Sequence, residues 1–293
     1  MRFSVIITNY NYKDFLPEAI ESVLAQSHPV AEVIVVDDGS TDGSASLVRE
    51  RYGTRVTLIE SENGGQLSAF RLGVSRASGD YIAFLDADDA WMSDHLERAA
   101  AIAHKYPLHA LIIANCEFTG EVAGRFYKGS ADVDYGPTRQ VLVTREWIGA
   151  PTSSLIARRD ALNFLGGLPA PMLSDWRLRA DDVVVFGVSV LGGSKYRMSE
   201  PTVQYRIHNR NGFSRVRLSR EYRREYRRRQ HRLFSHLLTI SGREKPEWFT
   251  DMKGWLDGQR GLKWSRRRVY LRRMRRLGLI GWPAFLGLQL AVF

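Results

Sequence analysis

The chain has 293 residues, enough for a sizeable core, and a single cysteine, Cys116, which excludes an intramolecular disulfide and a cysteine-based zinc site. Its apolar and charged fractions, 44% and 25%, are those of a soluble globular protein. The single cysteine suits a reducing compartment, and Met1 runs straight into a strand-like segment rather than into a charged and then apolar leader, which argues against secretion.

The strand and helix pattern is clearest in the first third. Phe3–Thr8 reads as a buried strand followed by the polar turn Asn9-Tyr10-Asn11-Tyr12. From Asp14, placed to cap, a helix carries Leu16, Ile20, Val23 and Leu24 on one face. Glu32–Val36 is a second buried strand, ending in Asp37-Asp38-Gly39-Ser40-Thr41-Asp42. A helix over about 44–52, a strand over 56–59 and a further helix to Ala77 follow, the last opened by Glu62-Asn63-Gly64-Gly65-Gln66. The apolar run Tyr81–Leu85 then ends abruptly in Asp86, Asp88 and Asp89.

This alternation predicts an α/β, doubly wound, mainly parallel sheet. The ends Thr8–Asn11, Asp37–Asp38, Asn63–Gln66 and Asp86–Asp89 then share one sheet edge, where open α/β folds bind ligands. Three carboxylates within four residues repel one another unless a cation lies between them, and hard oxygen donors suit Mg²⁺ or Mn²⁺. The plainer alternative is a solvated acidic turn, with Ser93 or Asp94 capping the next helix.

Ser93–Lys105 predicts that helix, and a strand is expected near Ala110–Asn115; Gly120–Pro137 carries little pattern. Asp181-Asp182 head an apolar helix, Val183 to Leu191, that closes at Gly192-Gly193. Paired acids there either interact with the helix dipole or shift each other's pKa for proton transfer. Asp175 precedes Trp176 as a second, weaker acid. A strand-like stretch from Lys195 leads to Tyr205-Arg206-Ile207-His208-Asn209-Arg210-Asn211, whose arginines suit an anion.

The net charge of +10 is unevenly placed: residues 215–276 hold 21 Lys and Arg against 6 Asp and Glu, and residues 1–214 hold 21 against 26. The chain divides accordingly at 214/215, with 1–95 and 96–214 as halves of the first part and 215–293 as a basic helical tail. The last 17 residues, 277–293, are uncharged but broken by Pro283 and Gln289. They suit an interfacial segment flanked by lysine and arginine clusters that attract an anionic membrane surface. A helix packed on the protein or in a homo-oligomer interface is the other reading. No nucleic acid is expected, because no recognisable nucleic-acid module accompanies the arginines.

The segments SVIITNYN, VIVVDDGSTD, ENGGQLSAF and YIAFLDADDAW, in this order, resemble glycosyltransferase family 2. The resemblance, strongest over residues 1–95, implies an A-type nucleotide-sugar fold (GT-A) and an inverting, metal-dependent transferase. It implies that Asp38 binds the base, with Thr8, Asn9, Tyr10 and Asn11 around base and ribose and Gly65 and Gln66 close to the donor. Asp86 and Ala87 would lie at the ribose, and Asp88 would hold a divalent metal (Mn²⁺ or Mg²⁺) on the diphosphate, with Asp86 and His208 near it. Asp181-Asp182 stands where the family reads Glu-Asp, which makes Asp182 the expected catalytic base and Asp181 its neighbour. Residues 205–211 resemble the YR-x-H-x-x-N segment, whose Arg206 and His208 positions lie over the diphosphate. Arg71 departs from the asparagine common there. The expected donor is a UDP-sugar and the expected acceptor a glycan or lipid-linked precursor, at the cytoplasmic face of a membrane. A nucleotidyltransferase and a catalytically silent nucleotide-sugar-binding scaffold are the competing functions.

Overall fold

A computed structural model describes residues 1–211, 219–243 and 262–280, together with 247, 253, 255, 256 and 259. Most of the expected interfacial segment, from residue 281 onward, lies outside the described residues. The first strands are β1 (Phe3–Asn9), β2 (Glu32–Asp37), β3 (Thr57–Glu60) and β4 (Tyr81–Asp86). They pair in parallel in the order β3-β2-β1-β4, with Ile6 opposite both Ile34 and Phe84.

Strands buried on both faces need apolar residues at every position. Val5-Ile6-Ile7 of β1 meet that demand, Ser4 is buried with its hydroxyl bonded to Glu32, and the alternation divides the core. Val5 and Ile7 face one layer, with Leu16, Ile20 and Val23 of helix α1 (Leu16–Leu24) and Val48 of α2 (Ser44–Tyr52); Ile6 faces the other, with Leu67 and Phe70 of α3 (Gln66–Arg76). Asp14 does not cap α1. Phe15 holds the cap position, and Asp14 is exposed, paired with Arg210 at 3.6 Å. Asp94 holds the cap position of α4 (His95–Lys105), but its carboxylate takes Arg98 at 2.6 Å instead of a backbone N–H.

The second half continues the sheet with a reversal. β5 is the short Ala90–Trp91, β6 runs His109–Gly120, and β7 (Gly124–Arg125) and β8 (Val133–Pro137) occupy the stretch that carried little pattern. After α5 (Val141–Thr144), β9 (Leu155–Arg158) inserts antiparallel between β4 and β6. α6 (Ala170–Asp175) and α7 (Ala180–Val190) precede β10 (Ser194–Ile207), which runs parallel to β6 and antiparallel to β5. The N-terminus of α7 thereby reaches the edge on which β1, β2 and β4 end.

The basic tail is partly packed. α8 (Arg220–Ile240) is capped by Ser219, whose hydroxyl accepts from Tyr222 N at 3.0 Å. Its Leu233, Phe234 and Leu237 are buried in the same layer as α7, the Phe234 ring edge-on to Phe186 at 5.3 Å. Leu271 and Met274 of α9 (Trp264–Arg276) join that layer. No helix among the described residues is long and apolar enough to cross a membrane.

Gly187 marks the tightest approach of α7 to its neighbours: an added Cβ would overlap the Phe164 ring. Gly187→Ala is expected to destabilise the fold by about 1–3 kcal/mol, by overpacking. Denaturant midpoints check this, and an unchanged midpoint would show that the Phe164 ring yields freely.

Candidate active site

One cavity of about 860 Å³ opens at the carboxyl edge of the sheet. Thr8, Asn9, Tyr10, Asn11, Asp38, Gly65, Gln66, Asp86, Ala87 and Asp88 line it from the first half, and Thr152, Arg177, Asp181, Arg210 and Asn211 from the second. Of the residues the family resemblance assigns to donor, metal or catalysis, Asp182, Arg206 and His208 are not on its wall.

At one end, Asn9 donates to Asp37 Oδ1 at 2.6 Å and to Ser40 Oγ at 3.0 Å. Those acceptors fix the amide orientation and leave Asn9 Oδ1 buried without a hydrogen bond. A buried carbonyl of this kind costs stability until a donor reaches it. Asn11 adopts a left-handed backbone, φ 59°, and its side chain accepts from Thr41 N at 2.8 Å. Asp38 accepts from Gly64 N and Gly65 N, both at 2.8 Å, yet burial raises its pKa. Gly65 has φ +86°, and a Cβ there would lie 2.6 Å from Arg177 Cα, so only glycine lets the two halves close on each other.

Where β4 ends, Asp86, Asp88 and Asp89 place carboxylate oxygens within 4.8 Å of one another. Burial, then the charges of Asp88 and Asp181, push Asp86 up to about 7; burial raises Asp88 as well. Asp89 is raised well above the usual carboxylate range, by burial and then by Asp88 and Asp86. The three differ in what they already hold. Asp89 accepts Ser153 Oγ on one oxygen at 2.5 Å and Arg206 N on the other at 2.8 Å, so it props the loop. Asp86 takes Thr8 and Gln66 on Oδ1, at 3.1 and 2.9 Å. Asp88 takes His208 and Asn211 on Oδ2, at 3.1 and 3.2 Å. The remaining oxygens of Asp86 and Asp88 are hard donors beside uncompensated negative charge, which fits Mg²⁺ or Mn²⁺.

His208 does not join that donor set. Its Nδ1 accepts from Arg210 N at 3.1 Å, which leaves Nε2 to donate to Asp88, and its ring stacks on Phe15 at 4.8 Å. Both ring nitrogens are engaged, so it orients Asp88. Arg206 is likewise occupied, donating to Asp88 O at 3.0 Å and pairing with Glu18 at 2.5 Å. The arginines on the cavity wall are Arg177, Arg179 and Arg210.

Across the cavity stands the N-terminus of α7. Asp181 lines the wall, and burial raises its pKa against the opposing pull of Arg179. Asp182, the expected base, is fully buried behind it. Arg179 grips it with Nε at 2.8 Å and Nη2 at 3.0 Å, and Tyr226 Oη donates to it at 2.9 Å from α8. Burial and the charge of Asp181 push Asp182 up to about 8 in spite of these partners. Arg179 adopts φ 67°, a left-handed conformation that non-glycine residues seldom take and that this grip holds in place. Gln66 joins the two acidic groups: its Nε2 donates to Asp86 and to Thr152 Oγ1, while its Oε1 accepts from Ala180 N at 3.0 Å.

Sequence reasoning missed Asn211, Arg177, Arg179, Ser153 and Tyr226. Asn211 lay within the 205–211 segment; neither the spacing of α8 nor its charge singles out Tyr226.

The chain is similar to glycosyltransferases in both sequence and fold. The family model described as Glycosyl transferase family 2 matches residues 4–165, more than half of the chain. An uncharacterized glycosyltransferase of Nostoc is 35% identical over 72% of the chain, and the putative teichuronic acid biosynthesis glycosyltransferase TuaG of Bacillus subtilis is 43% identical over 32%. The matched stretches span 66% and 39% of those two relatives. Among solved structures, S. aureus TarS in complex with UDP-GlcNAc aligns with 94% of the chain and 80% of its own length, at a TM-score of 0.63 and 18% identity. The mannosyltransferase PcManGT of Pyrobaculum calidifontis, in complex with GDP-Man and Mn²⁺, aligns with 99% of the chain and 78% of its own length, at 0.54 and 18%. The fold is the A-type glycosyltransferase fold.

Proposed function

The chain belongs to glycosyltransferase family 2, and from that premise we propose that it moves a sugar from a nucleotide-diphosphate donor to an acceptor hydroxyl with inversion. The observation that carries this reading is the pair of acidic groups facing each other across one cavity, Asp86 and Asp88 at the end of β4 and Asp181 at the start of α7, joined by Gln66. The donors in the two structural neighbours, UDP-GlcNAc and GDP-Man, support the donor class.

In this reading the base and ribose lie along Thr8–Asn11 and Asp38, with the exposed Tyr10 ring at the mouth available to stack. Asn9 Oδ1 accepts a base N–H. Asp88 and Asp86 would hold a divalent ion, which would offset the diphosphate charge and make the nucleotide a better leaving group. His208 and Asn211 keep Asp88 aimed. Asp181 takes the proton from the acceptor hydroxyl as its oxygen attacks the anomeric carbon opposite the departing diphosphate. Asp182 positions Asp181 through Arg179 and Tyr226. A carboxylate with a raised pKa is a stronger base than a solvated one, and burial gives Asp181 that property.

The acceptor is proposed to be a lipid-linked glycan or surface-polysaccharide precursor, met at the cytoplasmic face of a membrane to which the basic tail binds peripherally. TuaG, as named, belongs to that class of pathway. A silent scaffold has no need of the retained acids, and a nucleotidyltransferase predicts a glycine-rich basic turn after β1, where Asn9–Tyr12 stands.

Turnover of UDP- and GDP-sugars, with membrane extract as acceptor source, tests the reading; no release of nucleotide from any donor by folded protein would overturn it. Asn9→Ala is expected to raise the donor KM about fivefold to tenfold with kcat nearly unchanged, the effect of one lost hydrogen bond. An unchanged KM would remove Asn9 from base recognition.

A further inference from the structure

Asp175, the weaker acid picked out in the sequence, is not on the cavity wall. It closes α6, and Arg232 of α8 forks onto it, Nε to Oδ2 at 2.8 Å and Nη2 to Oδ1 at 2.9 Å. Arg229 donates to the Asp175 carbonyl at 2.8 Å. Further back on α8, the Tyr226 ring stands edge-on to Trp176 at 5.7 Å, with the Arg179 guanidinium over it at 4.9 Å. Tyr226, Arg229 and Arg232 follow at three-residue intervals, so each is the next one's neighbour along the helix surface. Two arginines of the basic tail are thereby engaged with the rest of the protein.

Residues 176–179 join α6 to α7 with neither helix nor strand. Arg177, Leu178 and Arg179 of this segment line the cavity, and Asp181 follows them there. On its inner side the segment rests on the first half of the chain. Arg177 O accepts from Gln66 N at 2.8 Å, the Arg177 guanidinium donates to Asn63 O at 3.1 Å, and Ala180 N donates to Gln66 Oε1 at 3.0 Å. The segment is therefore held between Asn63–Gln66 and α8. A left-handed backbone such as that of Arg179 persists only where surrounding contacts impose it, and α8 supplies them from the outside.

We propose that Asp175, Arg229 and Arg232 are positioning residues for the transfer. The two arginines, acting through Asp175, set the segment 176–179 and with it the direction in which Asp181 meets the acceptor. This role rests on the transferase reading, and it makes α8 part of the catalytic unit. The Arg232–Asp175 pair is partly exposed, and such pairs add little to overall stability, so its loss is read in the rate instead. A displacement of about 1 Å at a reacting group can cost up to about 10²-fold.

The test uses the full chain. Arg232→Gln keeps a hydrogen-bond donor but loses the charged fork. Arg228→Gln, the control, removes the same charge from the same helix and also loosens Glu225, which both arginines hold. In nucleotide release from UDP- and GDP-sugars with membrane extract, kcat of Arg232→Gln is expected about tenfold below that of the control, with donor KM and Tm unchanged. Arg232→Lys, which keeps the charge, is expected between the two. Amide hydrogen exchange at Gln66 and Ala180 is expected to be at least about fivefold faster in Arg232→Gln than in the control. Equal kcat in the two variants overturns the positioning role, and so does a kcat loss with exchange unchanged, because the segment would not have moved. No nucleotide release by wild type would instead sink the transferase reading; exchange alone then decides whether α8 sets the segment, faster exchange upholding it and equal exchange overturning it.

Discussion

Asp88→Ala is expected to lower turnover by about 10³-fold, the several kcal/mol that a cation on the leaving diphosphate contributes. Two further results should accompany that loss. Mn²⁺ binding, followed by the electron paramagnetic resonance of free ion or by titration calorimetry, should weaken in parallel. The metal-free Tm should change little, because alanine relieves repulsion among three buried carboxylates while it removes the acceptor of His208 and Asn211. Asp89→Ala is the contrasting variant. Asp89 holds Ser153 and the backbone of Arg206, so its removal should cost stability. An Asp88→Ala enzyme that retains metal-dependent turnover would remove Asp88 from the cation site.

The second large effect separates two adjacent acids. Asp181→Asn should lower kcat by about 10²–10⁴-fold, the range for a lost general base, with donor affinity unchanged. Asp182→Asn replaces one of the two oxygens that accept from Tyr226 and Arg179 with an NH2 group. Its activity should fall less, and its stability by about 1–3 kcal/mol, because donors at a buried position then face another donor. Kinetics and denaturant unfolding on both variants separate the roles: a kcat loss confined to Asp182→Asn would return the base to Asp182. Tyr226→Phe should share the weaker kinetic effect, since it removes the hydroxyl that holds Asp182 from behind.

The first half of the fold was legible because each signal was local. β1, β2 and β4 are short apolar runs that stop at polar residues, and parallel pairing puts those stops on one edge whatever the loops do. Asn9, Asp38 and Asp88 follow from that placement alone. The choice between Asp181 and Asp182 did not. Counting back from the glycines gives a position in the chain, whereas the direction of a side chain depends on where the helix begins, and one residue turns it by about 100°. Here α7 starts at Ala180, after the left-handed Arg179, which turns Asp181 to the cavity and Asp182 to the core. Arg206 and His208 were assigned to the ligand through the resemblance of 205–211 to the YR-x-H-x-x-N segment. The structure spends them on Glu18 and on Asp88, contacts 188 and 120 residues away in sequence that no local pattern encodes. Tyr226 is the same case. In the tail, charge hid the packing: Leu233, Phe234 and Leu237 form an apolar stripe on a helix whose arginines dominate its composition.

The most direct test of the central claim is nucleotide release from UDP- and GDP-sugars by the full chain, in Mn²⁺ and in EDTA, with the anomeric configuration of the product read from its proton coupling constants. Metal-dependent release with inverted configuration is the predicted result. A product of retained configuration would contradict it, because Asp181 would then have no attacking hydroxyl to deprotonate on the face opposite the diphosphate.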